Sequence, residues 1–239
     1  MSRMNKIRVI LPTYNEKENL KLLIPELFNI FRENNLDADV LIVDDNSPDG
    51  TADFVETISK TYPIKLIKRE CKMGLGSAYI LGFKESIKDG VNIVFEMDAD
   101  LSHKPEYVIH FIEKINQGFD MVIGEREKIV GWSIYRKMIS RTGNLIGRYL
   151  AGIKISDLTT GYRAYRKDVL KNIDLDKIES NGYAFQLETL YRGIAGGFKV
   201  GSIPIIFYDR QNGKSKLSKW DMLEFLILAI KIRLGLMNV

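Results

Sequence analysis

The chain has 239 residues, 45% of them hydrophobic and 28% charged, with a formal net charge of +4. That length suits one α/β domain, or a domain with a short appendage, with enough chain to bury a substantial core. The small positive balance gives no argument for a nucleic-acid partner, although it is compatible with an anionic membrane surface. Cys71 is the only cysteine, which excludes an internal disulfide, and with His103 and His110 as the only histidines the chain lacks the ligands of a structural zinc site. MSRMNK leads straight into IRVIL without the apolar length of a secretory signal, so a cytosolic location is expected. No run of about 20 uncharged apolar residues occurs, so no spanning helix is expected.

Residues 7–11 predict a first buried strand, ended by Pro12. Asn15 followed by Glu18 is a helix-start pattern, and Leu20, Leu23, Ile24, Leu27, Phe28 and Phe31 then share one helical face; Pro25 predicts a kink or an early break. Residues 40–43 predict the next strand, which ends in Asp44 and Asp45 before the turn-forming NSPDG. Phe54, Val55 and Ile58 mark an amphipathic helix, and residues 64–67 a short strand leading to the loop KMGLG. The glycines of that loop fit neither a Walker loop nor a dinucleotide fingerprint, and Gly76, Ala78 and Gly82 predict a helix lying close to the sheet. The apolar run 91–97 predicts a buried strand that stops at Asp98-Ala99-Asp100.

Strand and helix alternate up to residue 123, which predicts a mostly parallel sheet covered on both faces. In such a sheet PTYNE, Asp44-Asp45 and Asp98-Ala99-Asp100 converge on the carboxyl edge, where α/β folds bind ligands. Asp98 and Asp100 are then two hard oxygen donors for a divalent cation carrying a diphosphate. A plain turn before a helix opened by Pro105 explains the same two residues.

After a strand over 121–123 and the segment GERE the alternation loosens. A basic, aromatic stretch follows, with Trp132, Tyr135, Arg136, Lys137, Arg141 and Arg148; each cation alone reads as a solvated helix face, and together they suit an anionic substrate. DLTTGYR is a polar turn entering a short strand, and residues 183–193 predict a helix with Glu188 buried or facing a cleft. A strand over 200–208 then enters the basic loop 209–216, of the kind that closes over a bound phosphate. In the tail, the apolar run 225–230 is broken by Lys231 and Arg233. It is too short to span a bilayer, and either lies in the headgroup region or docks on the protein or in a dimer interface.

Eight segments in order carry a family resemblance: VILPTYNEKENL, VDDNSPDGT, KMGLGSAYILGF, MDADLSHKPE, YRKMISRTGN, DLTTGYRAYRKDVL, GYAFQLE and DRQNGKSKL. Through them the chain resembles the polyprenol-phosphate glycosyltransferases over nearly its whole length, and among these the dolichol-phosphate mannose-transferring members most. The resemblance implies an inverting α/β transferase with a GT-A-type, Rossmann-like, mostly parallel sheet flanked by helices. The catalytic domain would cover 1–218 and an amphipathic, membrane-associated helix 219–239. It also implies a GDP-mannose donor, a dolichyl or other polyprenyl phosphate acceptor, Mg2+ or Mn2+, a peripheral place on the cytosolic face of a membrane, and room for a membrane-anchoring partner.

By the same resemblance Pro12, Tyr14, Glu16, Val43 and Asp45 would contact the nucleoside, with Lys72 near it and Asp98, Ala99 and Asp100 at the diphosphate and metal. Arg126, Arg136, Ser140, Arg210 and Lys216 would bind phosphate of donor or acceptor, and Asp100, Arg126 and Arg136 would carry the catalysis. Ser102 stands where some relatives have glutamine, a weaker third metal ligand that water would supplement. Glu125 and Glu127 flank Arg126 where many relatives have uncharged residues, and DLTTG lacks a proline common after its aspartate. A lipid phosphate with a second ionisation of about 6 is already anionic at neutral pH, so the acceptor needs orientation by cations rather than a strong base. Glu188 is accordingly expected to be a structural acid paired with one of those cations. A UDP-sugar donor, or a nucleotide-sugar-binding protein without turnover, remains an alternative.

Overall fold

The computed structural model describes residues 5–178, 180–210 and 219–237. In its first half β1 (Ile7–Thr13), β2 (Ala38–Asp44), β3 (Ile64–Lys68) and β4 (Ile93–Glu96) alternate with α1 (Lys17–Glu33), α2 (Thr51–Ile58) and α3 (Leu75–Lys88), and α4 (Tyr107–Asn116) follows. The second half contains β5 (Met121–Val130), α5 (Ile134–Ala151), β6 (Arg163–Arg166), α6 (Lys167–Asn172), α7 (Gly182–Ala195), β7 (Val200–Tyr208) and α8 (Lys219–Arg233). The seven strands form one sheet in the order β3-β2-β1-β4-β6-β5-β7. All neighbours pair in parallel except β6, which runs antiparallel to both β4 and β5.

The apolar runs of β1, β2 and β4 are continuous because these central strands are buried on both faces. Successive residues alternate between two cores: Ile10, Leu41 and Val43 pack with Tyr79, Phe83 and Phe185 from α3 and α7, while Val9, Leu11, Val40 and Ile42 pack with Leu20, Leu23, Leu27 and Phe111 from α1 and α4. Expectation and structure part at several points. β5 does not stop at residue 123 but continues to Val130 beside β7, with a register shift between Arg126 and Lys128, and the short β6 separates it from β4. Pro12 does not end β1. Ile10 accepts a hydrogen bond from the Met97 amide on the β4 side, so by alternation the nitrogen of Pro12 faces the same side, beyond the end of β4 at Glu96, where no ladder bond is lost.

Pro25 does not break α1 either. It lies on the exposed face, where water can satisfy the carbonyl its ring leaves free. The helix-start pattern at Asn15 gives way to a start at Lys17, because Asn15 takes a left-handed φ of 61° and its amide bonds to the Ser47 hydroxyl at 3.0 Å. Glu188 is buried, but its partners are Arg192 at 2.8 Å and the Ser180 hydroxyl at 2.6 Å rather than a cleft cation. The tail helix α8 has two faces. Phe225, Leu228, Ala229 and Ile232 join the core with α5 and α7, while Trp220, Leu223, Ile227 and Ile230 stay exposed.

α3 lies close to the sheet, as its small residues foretold: a Cβ at Gly82 would stand 2.8 Å from two carbons of the fully buried Ile10. Gly143 on α5 has nothing within 4 Å of such a Cβ. Gly82→Ala is therefore expected to lower stability by about 1–3 kcal/mol through overpacking. Gly143→Ala should raise it by up to about 1 kcal/mol through helix propensity. Urea midpoints of the two variants check both signs.

Candidate active site

β1 lies between β2 and β4, so the chain reverses its direction of sheet growth there, and such a switch point opens a crevice at the carboxyl ends of the strands. A cleft of about 390 Å³ occupies this place. Pro12, Tyr14, Glu16, Asp45, Lys72, Asp98, Ala99, Asp100, Arg126, Arg136 and Arg210 all line it. Three other residues singled out in the sequence do not. The Val43 side chain belongs to the apolar core, Ser102 is fully buried, and Ser140 faces a second cavity. Lys216 lies outside the described residues, as do the other residues from 211 to 218 of its loop.

Strand alternation divides the work of Asp44 and Asp45. Asp44 is fully buried and accepts hydrogen bonds from Thr13 Oγ1 at 2.8 Å and from the amide and hydroxyl of Ser47 at 2.9 and 2.6 Å, which fixes the turn after β2. Asp45 turns to the cleft, where Arg69 holds it in a buried ion pair and the Met73 amide donates at 3.3 Å. Across the cleft Lys72 places its Nζ 4.6 Å from the centre of the Tyr14 ring.

The acidic pair follows β4, with Asp98 two residues and Asp100 four residues past its end at Glu96. The Asp98 amide donates to His103 Nδ1 at 3.1 Å, so that nitrogen is an acceptor, and burial pushes the imidazole pKa down. Burial, reinforced by the like charge of Asp100, pushes the Asp98 carboxyl up against the pull of His103 and Arg210. Leu101 holds a φ of 66°, a costly conformation for a branched side chain, and this turn lets Asp100 Oδ1 accept the Ser102 amide at 3.1 Å. The other oxygen of Asp100 pairs with Arg210. Gly161 borders Asp98 from the opposite side: a Cβ there would stand 3.5 Å from Asp98 Oδ1.

Among the described residues no group of three or more His, Cys, Asp or Glu side chains is gathered to hold a metal. Two hard carboxylates two residues apart nevertheless fit Mg2+ or Mn2+, which commonly bind through one or two carboxylates with substrate phosphates and water completing the shell. Ser102 does not line the cleft, and among the described residues its buried hydroxyl has no hydrogen-bond partner.

Glu96, hidden inside an apolar run, escaped the sequence reading. It is fully buried two residues before Asp98, where Tyr165 donates to Oε1 at 2.6 Å and Gln186 Nε2 to Oε2 at 2.8 Å; burial pushes its pKa up to about 7 against Arg163 and these donors. Gln186 also lines the cleft, as do His103, Trp132, Thr159, Gly161 and Asp209. His103, Thr159, Gly161, Gln186 and Asp209 lie within the segments that carry the family resemblance, and Trp132 in the basic, aromatic stretch, but none was singled out as a site residue.

The far wall is cationic and aromatic. Arg126 gives Nε and Nη2 to Asp157 at 2.6 and 2.7 Å and Nη2 also to Thr159 at 2.6 Å, leaving Nη1 without a hydrogen bond to a described residue. Arg136 lies over the Trp132 ring at 3.9 Å, and both donate to Asp209 Oδ1 at 3.1 Å. Beyond the Arg126–Asp157 pair a second cavity of about 470 Å³ holds Ser140, Arg141 and Arg148.

Burial disfavours the Asp157 anion, but the Arg126 guanidinium outweighs it and holds the carboxyl below its usual range. The stability this supplies is present above the unfolded pKa and is lost as pH falls through the folded one. Asp157→Asn is expected to cost about 3–5 kcal/mol at neutral pH by stranding a buried guanidinium. The loss should shrink on acidification, which denaturant titrations at neutral and at acidic pH check.

The model of Glycosyl transferase family 2 matches residues 8–174. The undecaprenyl-phosphate mannosyltransferase of Micrococcus luteus is 43% identical over 218 residues, covering 89% of this chain and 88% of that one. The polyprenol monophosphomannose synthase of Mycolicibacterium smegmatis is 39% identical, covering 88% and 80%. The crystal structure of glucosyl-3-phosphoglycerate synthase from Mycobacterium tuberculosis with Mn2+, UDP-glucose and phosphoglyceric acid superposes with a TM-score of 0.72 at 16% identity, over 98% of this chain and 81% of that one, a likeness of fold. A seven-stranded sheet with an acid-lined switch point, a family model over most of its length and two relatives of this identity make the chain a member of glycosyl transferase family 2, in the polyprenol-phosphate group that its motifs resemble.

Proposed function

We propose that the protein transfers mannose from GDP-mannose to dolichyl or another polyprenyl phosphate, with inversion, as a peripheral enzyme on the cytosolic face of a membrane. The observation that carries this reading is the meeting, in one cleft, of the paired acids Asp98 and Asp100 with the cations Arg126, Arg136 and Arg210. Two relatives whose names specify mannose and a polyprenol acceptor supply the substrate class.

Asp98 and Asp100 would hold Mg2+ or Mn2+, which when bound stabilises the negative charge growing on the departing nucleoside diphosphate. Pro12, Tyr14, Glu16 and Asp45 form the wall where the nucleoside would lie, with Lys72 over Tyr14. Arg136, 37% exposed and stacked on Trp132, and Nη1 of Arg126, which bonds to no described residue, orient the acceptor phosphate. That phosphate is already an anion, so no side chain need remove a proton from it, and the cleft histidine, its Nδ1 occupied by the Asp98 amide, is not recruited as a base. Lys216 belongs to the same reading as a phosphate ligand, and Ser140, one helical turn beyond Arg136, as a contact on the acceptor's path into the second cavity.

The acceptor is a lipid, and the surface beside the cleft suits one. α5 and α8 pack together and expose Tyr135, Met138, Leu145 and Tyr149 on the first helix and Trp220, Leu223 and Ile227 on the second. Lys137, Arg141, Lys231 and Arg233 stand among them, the mixture of an interfacial surface. Among the described residues no helix is long and apolar enough to cross a membrane.

With labelled GDP-mannose, polyprenyl phosphate and Mn2+, label is expected in the lipid fraction, with UDP-glucose far less effective. Asp100→Asn should lose activity by at least about 100-fold while keeping its fold, and a chelator should do the same to the wild type. Label confined to the aqueous phase would end the proposal. Leu223→Glu with Ile227→Glu should reduce sedimentation with anionic liposomes while leaving turnover of detergent-dispersed acceptor nearly unchanged.

A further inference from the structure

We propose that Arg210 competes with the divalent cation for Asp100, so that it weakens the binding of metal alone and strengthens the binding of metal and nucleoside diphosphate together. The inference rests on the metal-dependent nucleotide-sugar reading and adds a coupling device to it. Both oxygens of Asp100 are engaged: Oδ1 accepts the Ser102 amide at 3.1 Å and Oδ2 pairs with Arg210. A metal ion seated on Asp100 must therefore share or displace the guanidinium.

Arg210 stands apart from the other cleft cations in this respect. Arg126 is spent on Asp157, Arg136 on Asp209 and the Trp132 ring, and Arg69 on Asp45. Among the described residues Arg210 is the one arginine or lysine ion-paired with the acids Asp98 and Asp100, while the His103 ring, whose Nδ1 accepts the Asp98 amide, stands 4.0 Å from the Asp98 carboxylate, so two carboxylates share one permanent cation. A divalent ion satisfies two carboxylates better than a single guanidinium does, but must first overcome that contact.

What happens to Arg210 next gives the device its sign. Displaced from Asp100, its planar fork is left partly buried without a carboxylate, a costly condition. A diphosphate bridging to the same metal brings anionic oxygens to within reach of the fork, the geometry that guanidinium groups bind best. Metal entry thus creates a vacancy-seeking cation and nucleotide entry satisfies it, so the two ligands favour one another, and by linkage the coupling is reciprocal. The 33% exposed Arg210 side chain, at the end of β7, has the freedom for this exchange.

Mn2+ binding to the full chain without nucleotide, followed by the paramagnetic resonance of free Mn2+, is the direct test. Arg210→Gln is expected to bind Mn2+ at least about 5-fold more tightly than wild type, the lower end of usual coupling factors, and to bind GDP more weakly at saturating Mn2+. Arg210→Lys, which keeps the charge, should stay near wild type for Mn2+, and Arg210→Met repeats the measurement if the glutamine variant does not fold. Equal or weaker Mn2+ binding by the neutral variants overturns the inference, as does GDP binding unchanged by them. Failure of the underlying reading looks different: Asp98→Asn and Asp100→Asn would then bind Mn2+ as well as wild type, and GDP binding would ignore Mn2+.

Discussion

The structure depends on the placement of two carboxylates where a buried strand stops. β4 is only four residues long and fully buried, so its end delivers Asp98 and Asp100 into the crevice between β1 and its neighbours instead of into the core. Holding two like charges together is unfavourable, and the surroundings show how it is managed. Leu101 takes up a strained left-handed backbone to turn Asp100, the Asp98 amide is anchored on His103, and Arg210 supplies a counter-charge. Such strain and charge make sense where a ligand is to be bound, because a purely structural turn would be filled more cheaply by other residues.

The opposite wall is built on a similar economy of charge. Arg126 and Asp157 bury each other, and the guanidinium plane meets Trp132 at 5.7 Å and Phe207 at 5.6 Å, so this part of the wall is rigid. Asp209 then collects the Trp132 indole, Arg136 and the Arg210 amide on a single oxygen, tying the first turn of α5 to the end of β7. On the proposed reading a rigid cation wall facing a metal-bearing edge aims an anionic acceptor without general-base machinery, and orientation rather than proton transfer supplies the rate enhancement.

Much of this was legible in the chain. The buried strands, the glycines that let α3 approach Ile10, and the convergence of PTYNE, Asp45 and DAD on one edge follow from periodicity and from the rules for parallel sheets. Other features were not, for definite physical reasons. The insertion of β6 between β4 and β5 is a long-range pairing that four residues cannot announce. Glu96 reads as a blemish in an apolar run because only the fold brings Tyr165 and Gln186, 69 and 90 residues away, to satisfy it. Arg126 finds Asp157 across 31 residues, so its partner could not be named from its acidic flanks. Of the alternatives that sequence left open for α8, the structure shows docking, with Phe225 packed against α5, and it leaves Trp220 and Ile227 exposed.

The central claim, that the acids ending β4 hold a cation which carries the nucleotide, is tested most directly by anomalous diffraction from crystals grown with Mn2+ and GDP-mannose. A single manganese peak bridging the Asp98 and Asp100 carboxylates and the diphosphate is the expected result. A nucleotide bound in the cleft with no manganese between it and those carboxylates would contradict the account.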